Sequence, residues 1–312
     1  MTTAAQPLTV AILLCTYNGA RFLEAQLASL KAQTHPAWTL WAADDGSSDE
    51  TRAVLQRAQS DWGQPRVHIL EGPRAGSSAN FLSLVCNESI QADAFAYCDQ
   101  DDIWHEDKLA RASAWLSQVP KSTPALYFSR TQLIDAAGND LGPSRLFTRP
   151  PGFRNALVQN IGGGNTMVFN AAARDILRAA GPQVPVVVHD WWTYMAVTGC
   201  GGLAHFDPVP TLKYRQHGDN QIGSNRGLGA RASRAGRLLE GRFKGWTDIN
   251  LAALETVKAR LTPENRRVLE VFTAARQQPL IGRLIGLARS GITRQTFIDN
   301  VGLYLAAAMN RL

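Results

Sequence analysis

Three carboxylates stand within four positions in YCDQDDIW, residues 97–104: Asp99, Asp101 and Asp102, with Gln100 between them. Bare carboxylates this close repel one another, so they persist either in a well-solvated turn or around a cation. Oxygen-only side chains on a loop suit Mg2+ or Mn2+, which keep part of their water and share phosphate oxygens with a substrate. A second acidic pair, Asp44-Asp45, offers Asp45 as acceptor for a base N–H, with the backbone of Thr16-Tyr17 to frame the ring. Arg74, in the Gly-rich stretch EGPRAGSSAN, presents a fork of donors suited to a diphosphate. Each has a plainer reading: DQDD as a solvated turn, Asp45 as a helix cap, Arg74 as a surface charge.

The surrounding pattern says how these groups are positioned. Leu8 to Leu14 is a continuous apolar run that suits a strand buried on both faces. Leu23, Leu27 and Leu30 then recur at helical spacing, predicting a helix from about 20 to 33. Trp38 to Ala43 reads as a second strand, and the Ser/Asp residues of DDGSSD cap the helix after it. A strand at Arg66 to Leu70, a helix at 79–90, the strand Ala94 to Cys98 and a helix at 106–118 continue the alternation. Such alternation predicts a parallel α/β sheet, whose ligand crevice lies at the carboxyl ends of the strands. Thr16-Tyr17-Asn18, Asp44-Asp45 and Asp99 to Asp102 all fall at such ends and are expected on one rim. Shorter, mixed strands follow at 125–129, 132–135, 166–170 and 209–214, with a helix at 171–180, and from Gly229 the pattern is almost wholly helical.

LLCTYNG, DDGSSD, DQDDIW, HDWW (His189 to Trp192) and YRQH (Tyr214 to His217), in that order and spacing, resemble family 2 glycosyltransferases of the GT-A fold, and among them bacterial rhamnosyltransferase-like enzymes of O-antigen and capsule synthesis. The resemblance spans about residues 8–222. It implies a GT-A, Rossmann-like α/β domain over 1–225, with a mostly parallel central sheet flanked by helices, a nucleotide half (1–120) and an acceptor half (121–225). A basic helical C-terminal region, 226–312, extends it. It implies that Thr16, Tyr17, Asn18 and Asp45 hold the nucleotide, with Asp44 nearby. Asp99 and Asp101 then form the DxD pair facing ribose and metal, Asp101 the direct ligand, with Gln100 between. Asp190 is the implied general base; the preceding residue, acidic in some relatives, is His189 here, which leaves it at most an orienting role. Trp104, Trp191 and Trp192 are candidates to stack on sugar faces or to fill core, His217 to reach the diphosphate, and Gly164 of GGGN to let backbone approach the donor sugar. The implied activity is inverting transfer, assisted by Mg2+ or Mn2+, from a dTDP- or UDP-linked sugar. dTDP-rhamnose is the leading donor, and a glycan or polyprenyl-diphosphate-linked molecule the acceptor.

Two other functions fit part of the pattern. A phosphatase of the haloacid dehalogenase type also places Asp-x-Asp after a strand, though usually near the start of its chain, and a non-catalytic sugar-nucleotide binder or scaffold would need no base. P-loop and dinucleotide fingerprints are absent.

The net charge of +6 is uneven. Residues 226–294 hold 14 Lys/Arg and 5 Asp/Glu, a local +9, which leaves −3 for the rest. Arg231, Arg234, Arg237, Arg242 and Lys244 precede the apolar face Leu280, Ile281, Leu284, Ile285, Leu287 and Ala288, with Arg283 and Arg289 elsewhere on the helix. That region either docks on an anionic membrane surface or packs on the catalytic domain; no nucleic-acid motif accompanies the charge. Four scattered cysteines without Cys-x-x-Cys spacing point to reduced thiols. The N-terminal residues have no export-signal pattern and no apolar run reaches the roughly 20 residues of a membrane span, so the expected location is cytoplasmic, peripheral at most.

Overall fold

The computed structural model describes residues 7–63, 65–216 and 242–312. The chain opens with β1 (Val10–Thr16), α1 (Ala20–Lys31), β2 (Trp38–Asp44), α2 (Thr51–Trp62), β3 (Val67–Glu71), α3 (Ser77–Cys86) and β4 (Ala94–Cys98). A short β5 (Ile103–Trp104), α4 (Lys108–Leu116), β6 (Ala125–Ser129), β7 (Gln132–Asp135), β8 (Asp140–Pro143) and α5 (Phe153–Ala156) follow. Next come β9 (Val168–Asn170), α6 (Ala171–Ala180), α7 (His189–Gly199), β10 (Leu203–Asp207) and β11 (Leu212–Gln216). The C-terminal region is helical: α8 (Arg242–Glu255), α9 (Pro263–Arg276), α10 (Leu280–Ser290) and α11 (Phe297–Ala308).

Seven strands form the main sheet in the order β10-β6-β9-β4-β1-β2-β3, and β5-β11-β7-β8 form a smaller one. β1 runs parallel to both β2 and β4, pairing Thr16 with Asp44 and Leu14 with Cys98. The carboxyl tips of these three strands therefore share one edge, as the alternation of strands and helices requires. β9 is antiparallel to β4, with Ala96 opposite Val168. Its reversed direction brings the residues just before it, 164–166, to the same edge. Five elements were not foreseen in the pattern: β5, β8, α5, α7 and β10. The first three are only two to four residues long, too short to show a period, and α7 is buried nearly all round and so lacks the amphipathic stripe that periodicity detects. Helix α3 spans 77–86 rather than 79–90, because the chain past Cys86 leaves the helix at Asn87 in an extended conformation.

β1 reads as an unbroken apolar run because both of its faces are covered. Val10, Ile12 and Leu14 pack with Leu23 and Leu27 of α1, while Ala11, Leu13 and Cys15 pack with Phe81 and Val85 of α3. The C-terminal helices join this second cluster: Val268, Leu269, Phe272, Leu287 and Leu303 are buried in one continuous body with Trp192 and Met195 of α7. All four cysteines are free thiols.

Helices α3 and α6 are locked together by Arg174. Its buried guanidinium donates to the carbonyls of Val85 (2.7 Å), Ile90 (2.5 Å) and Asn87 (2.5 Å) at the end of α3, where helix carbonyls lack intrahelical partners. Replacing it with Met leaves the carbonyls of Val85 and Ile90 without this donor, Asn87 O keeping Ile90 N at 3.2 Å, and Arg174→Met is expected to lower unfolding stability by about 2–4 kcal/mol in a urea titration.

Candidate active site

The strand tips are tied to one another before any ligand is considered. Asp44, fully buried, accepts from Thr16 Oγ1 (2.9 Å) and from the amide and hydroxyl of Ser47 (3.0 and 2.5 Å). It is a bracket between β1 and the following loop, its carboxylate wholly buried beside the rim residues it was expected to stand near. Gln100 is likewise turned onto the chain. Its amide accepts from Tyr17 N (2.8 Å) and donates to Tyr17 O (3.0 Å), fixing the turn after β1. Gly19 leaves room for it: a Cβ there would lie 2.1 Å from Gln100 Oε1 and would turn the amide away from Tyr17. The result leaves Tyr17 among the more exposed aromatic rings, 59% accessible, at the mouth of the rim. Asn18 takes the left-handed conformation (φ 47°) and accepts from Ser48 N at 2.8 Å.

Asp45, half-buried, accepts from the amides of Arg74 (2.6 Å) and Gly76 (2.8 Å), so it organises the Gly-rich loop that carries Arg74. Arg74 itself sits at φ 58° with its exposed side chain against Gly46. A carboxylate oxygen accepts more than one hydrogen bond, so these contacts leave Asp45 able to bind a further donor.

The acidic cluster is the most strongly perturbed part of the rim. Burial raises the Asp99 carboxyl well above the usual range, and the charges of Asp102, Asp101 and Asp190 push it further in the same direction. Asp102 is fully buried, and burial followed by the Asp101 charge raises it too; Asn165 Nδ2 (2.6 Å) and Arg215 N (3.2 Å) donate to it. Behind them lies Lys108, at the start of α4 and wholly buried, with its ammonium 3.8 Å from the centre of the Trp104 ring and donating to Asn165 O. Burial lowers its pKa, opposed by the charges of Cys98, Asp102 and Asp99. Lys108 escaped the sequence reading because a lone Lys at a helix start carries no periodic signal; Asp102, Asn165 and Arg215 stood within the DQDD, GGGN and YRQH stretches, but their supporting roles depend on contacts between distant segments.

Asp190 completes the site from the other side. It stands in the first turn of α7, accepting from Gly164 N (2.9 Å) and Trp191 N (2.6 Å). Burial nonetheless raises its pKa to about 6, partly offset by those two amides and by the Asn160 side chain. The Gly164 amide thus serves Asp190, from the loop expected to let backbone approach the donor sugar. His189 beside it is buried, stacked on Phe81 at 4.0 Å and edge-on to Tyr97 at 4.8 Å, with neither ring nitrogen hydrogen-bonded. Burial lowers its pKa to about 3, so it is a neutral wedge.

The tryptophans belong to the core. Trp104, Trp191 and Trp192 are 2%, 6% and 0% exposed, and Trp191 Nε1 donates to Ala156 O at 2.6 Å. None can stack on a sugar without repacking. His217, Arg231, Arg234 and Arg237 lie outside the described residues.

Residues 11–177, more than half of the chain, match the family model described as Glycosyl transferase family 2. The chain belongs to glycosyl transferase family 2. It is 26% identical over 237 residues to dTDP-rhamnosyl transferase RfbG of Shigella flexneri, covering 72% of this chain and 78% of that protein. To the Escherichia coli UDP-Glc:alpha-D-GlcNAc-diphosphoundecaprenol beta-1,3-glucosyltransferase WfgD it is 26% identical, over 50% of this chain and 57% of the relative. Its fold is similar to that of the mannosyltransferase PcManGT from Pyrobaculum calidifontis, solved in complex with GDP-Man and Mn2+: TM-score 0.51, 17% identity, 98% of this chain and 86% of that one. This family 2 member is a glycosyltransferase of polysaccharide synthesis with the GT-A architecture, and the phosphatase and scaffold alternatives fall away.

No cluster of three or more His, Cys, Asp or Glu side chains is arranged for a metal among the described residues. The donor set still fits a hard divalent cation. Asp99 sits in a field of three other carboxylates, and Mg2+-type sites commonly use one or two protein carboxylates and complete themselves with substrate phosphate oxygens.

The 163–166 turn holds both halves of the site. A Cβ on Gly164 would lie 2.5 Å from His189 Nε2 and 3.3 Å from Asp190 Cβ. Gly164→Ala must therefore push the amide off Asp190 or displace the imidazole. The expected outcome is a kcat loss of about tenfold or more at little-changed donor KM, with stability lower by about 1–3 kcal/mol, read by steady-state kinetics and thermal unfolding.

Proposed function

We propose that this glycosyltransferase transfers a sugar from a nucleoside diphosphate to a hydroxyl of a growing cell-surface glycan by direct displacement with inversion, Asp190 acting as general base. The observation that carries the reading is Asp190 itself: a carboxylate held by two amides on the rim it shares with Asp99, with its pKa raised by burial to about 6. A base with a pKa near working pH is both ionised and strong enough to accept the acceptor's proton. Thr16 to Asn18, Asp45 and Arg74 form the nucleotide side of the site, and His217 is a candidate for the diphosphate. Asp99 and Asp101 are the residues to hold Mg2+ or Mn2+, which when bound would offset the charge developing on the leaving diphosphate. The likeness to RfbG supports dTDP-rhamnose as donor, and that to WfgD a polyprenyl-diphosphate-linked acceptor. A lipid-linked acceptor would bring the enzyme to a membrane surface.

Asp190→Asn is expected to retain donor binding and lose ~10²–10⁴ in kcat. The wild-type kcat/KM should fall on the acid side with an apparent pKa of about 6, because protonation below that value removes the base. In Asp190→Asn that limb should vanish, and an unchanged acid limb or wild-type turnover would remove Asp190 from the mechanism. Because the protein supplies only part of a cation's ligands, Mn2+ titrated by calorimetry should bind weakly alone and at least about tenfold more tightly with a nucleoside diphosphate present. Asp101→Ala should abolish that enhancement; its persistence would exclude the metal assignment.

A further inference from the structure

The C-terminal helices bury one side and leave the other bare. Nine of the fifteen exposed large apolar side chains among the described residues lie between 280 and 309. The three most exposed are Phe297 (79%), Ile298 (77%) and Ile281 (72%). In α11, Leu303, Ala306 and Ala307 face the core, while Phe297, Ile298, Val301, Leu305 and Met309 are exposed at and just beyond the helix. The helix carries a single charge, Asp299, which is paired with Arg145 at 3.1 Å. A helix so largely apolar normally lies inside a protein or a bilayer, yet none of the described residues covers the outer face of this one. At 12 residues it is about 18 Å long, too short to cross the ~30 Å hydrocarbon core. It can only lie along an interface.

The charge around this face selects the occupant. Residues 280–312 contain four Arg and one Asp, a net +3, and of these Arg289 and Arg311 are exposed. Arg283, off the apolar face of α10, is buried and donates to Ala307 O (2.8 Å) and Gln278 O (3.0 Å), joining α10 to α11. A two-fold contact with a second copy would set cationic rims against each other, whereas an anionic lipid surface would meet both the apolar centre and the charge.

We propose that the outer face of α11, led by Phe297 and Ile298 at its start and continuing through Val301 and Leu305 toward the end where Arg283 ties on α10 with its exposed Ile281, is a docking surface for an anionic lipid bilayer. The helix lies flat in the headgroup region, and its inner side stays packed on the catalytic core. This deepens, and in its biological purpose rests on, the reading of a membrane-bound acceptor. Vesicle binding without acceptor keeps its failure separate from failure of the transferase reading.

The test is flotation of the full chain with phosphatidylcholine vesicles, pure or containing about one-third phosphatidylglycerol, alongside the double variant F297S/I298S. The wild type is expected to float with the anionic vesicles, and the variant's partition coefficient to fall at least about tenfold, since both large side chains leave the lipid contact. Donor-hydrolysis rate without lipid should match in the two proteins, reporting an intact fold. Equal flotation of both, or none by the wild type, overturns the proposal. A lipid-free dimer in sedimentation that F297S/I298S dissociates, without vesicle binding, would assign the face to a second copy instead and overturn it too.

Discussion

Carboxylate crowding at the tips of neighbouring strands is the constraint around which the molecule is built. Asp99, Asp101, Asp102 and Asp190 come from two distant parts of the chain and are close enough that the other three each raise the proton affinity of Asp99. Such a cluster is held only because the groups behind it are fixed. Buried Lys108 donates to Asn165 O from behind the rim without occupying the crevice, and Asn165 and Arg215 hydrogen-bond the buried Asp102 carboxylate. The residual repulsion makes the rim receptive to a cation and the phosphates it accompanies.

The same short turn ties donor side to acceptor side. Asn165 holds Asp102 and receives Lys108, and the adjacent Gly164 donates to Asp190. Separation between cluster and base is thereby set by two consecutive residues rather than by a flexible loop, as displacement along one line requires. The packing that secures this turn is costly, for it leaves both nitrogens of His189 unpaired in the core.

Distance from the chemistry allows the C-terminal helices a divided role. Phe272, Leu287 and Leu303 are as much part of the core as the residues of α7, so this region buttresses the helix that carries Asp190. The opposite sides of α10 and α11 make no such contribution. The apolar stripe seen in the sequence at 280–288 is split by the fold, Leu287 turning inward and Leu280, Ile281 and Ile285 outward.

The residues alone determined the parallel α/β organisation, because strands covered on both faces must be unbroken apolar runs and the helices between them amphipathic. They also determined which acidic clusters sit at strand ends, and the order of motifs carried the family and the candidacy of Asp190. Tertiary structure decided which of those groups look outward. Asp44 and Gln100 became brackets, the tryptophans became core, and Asp102, Lys108 and Asn165 emerged as the supports of the site. Residue type and spacing report what a side chain can do and on which element it rides. Whether it meets solvent, a ligand or another backbone depends on segments folded against it from elsewhere in the chain.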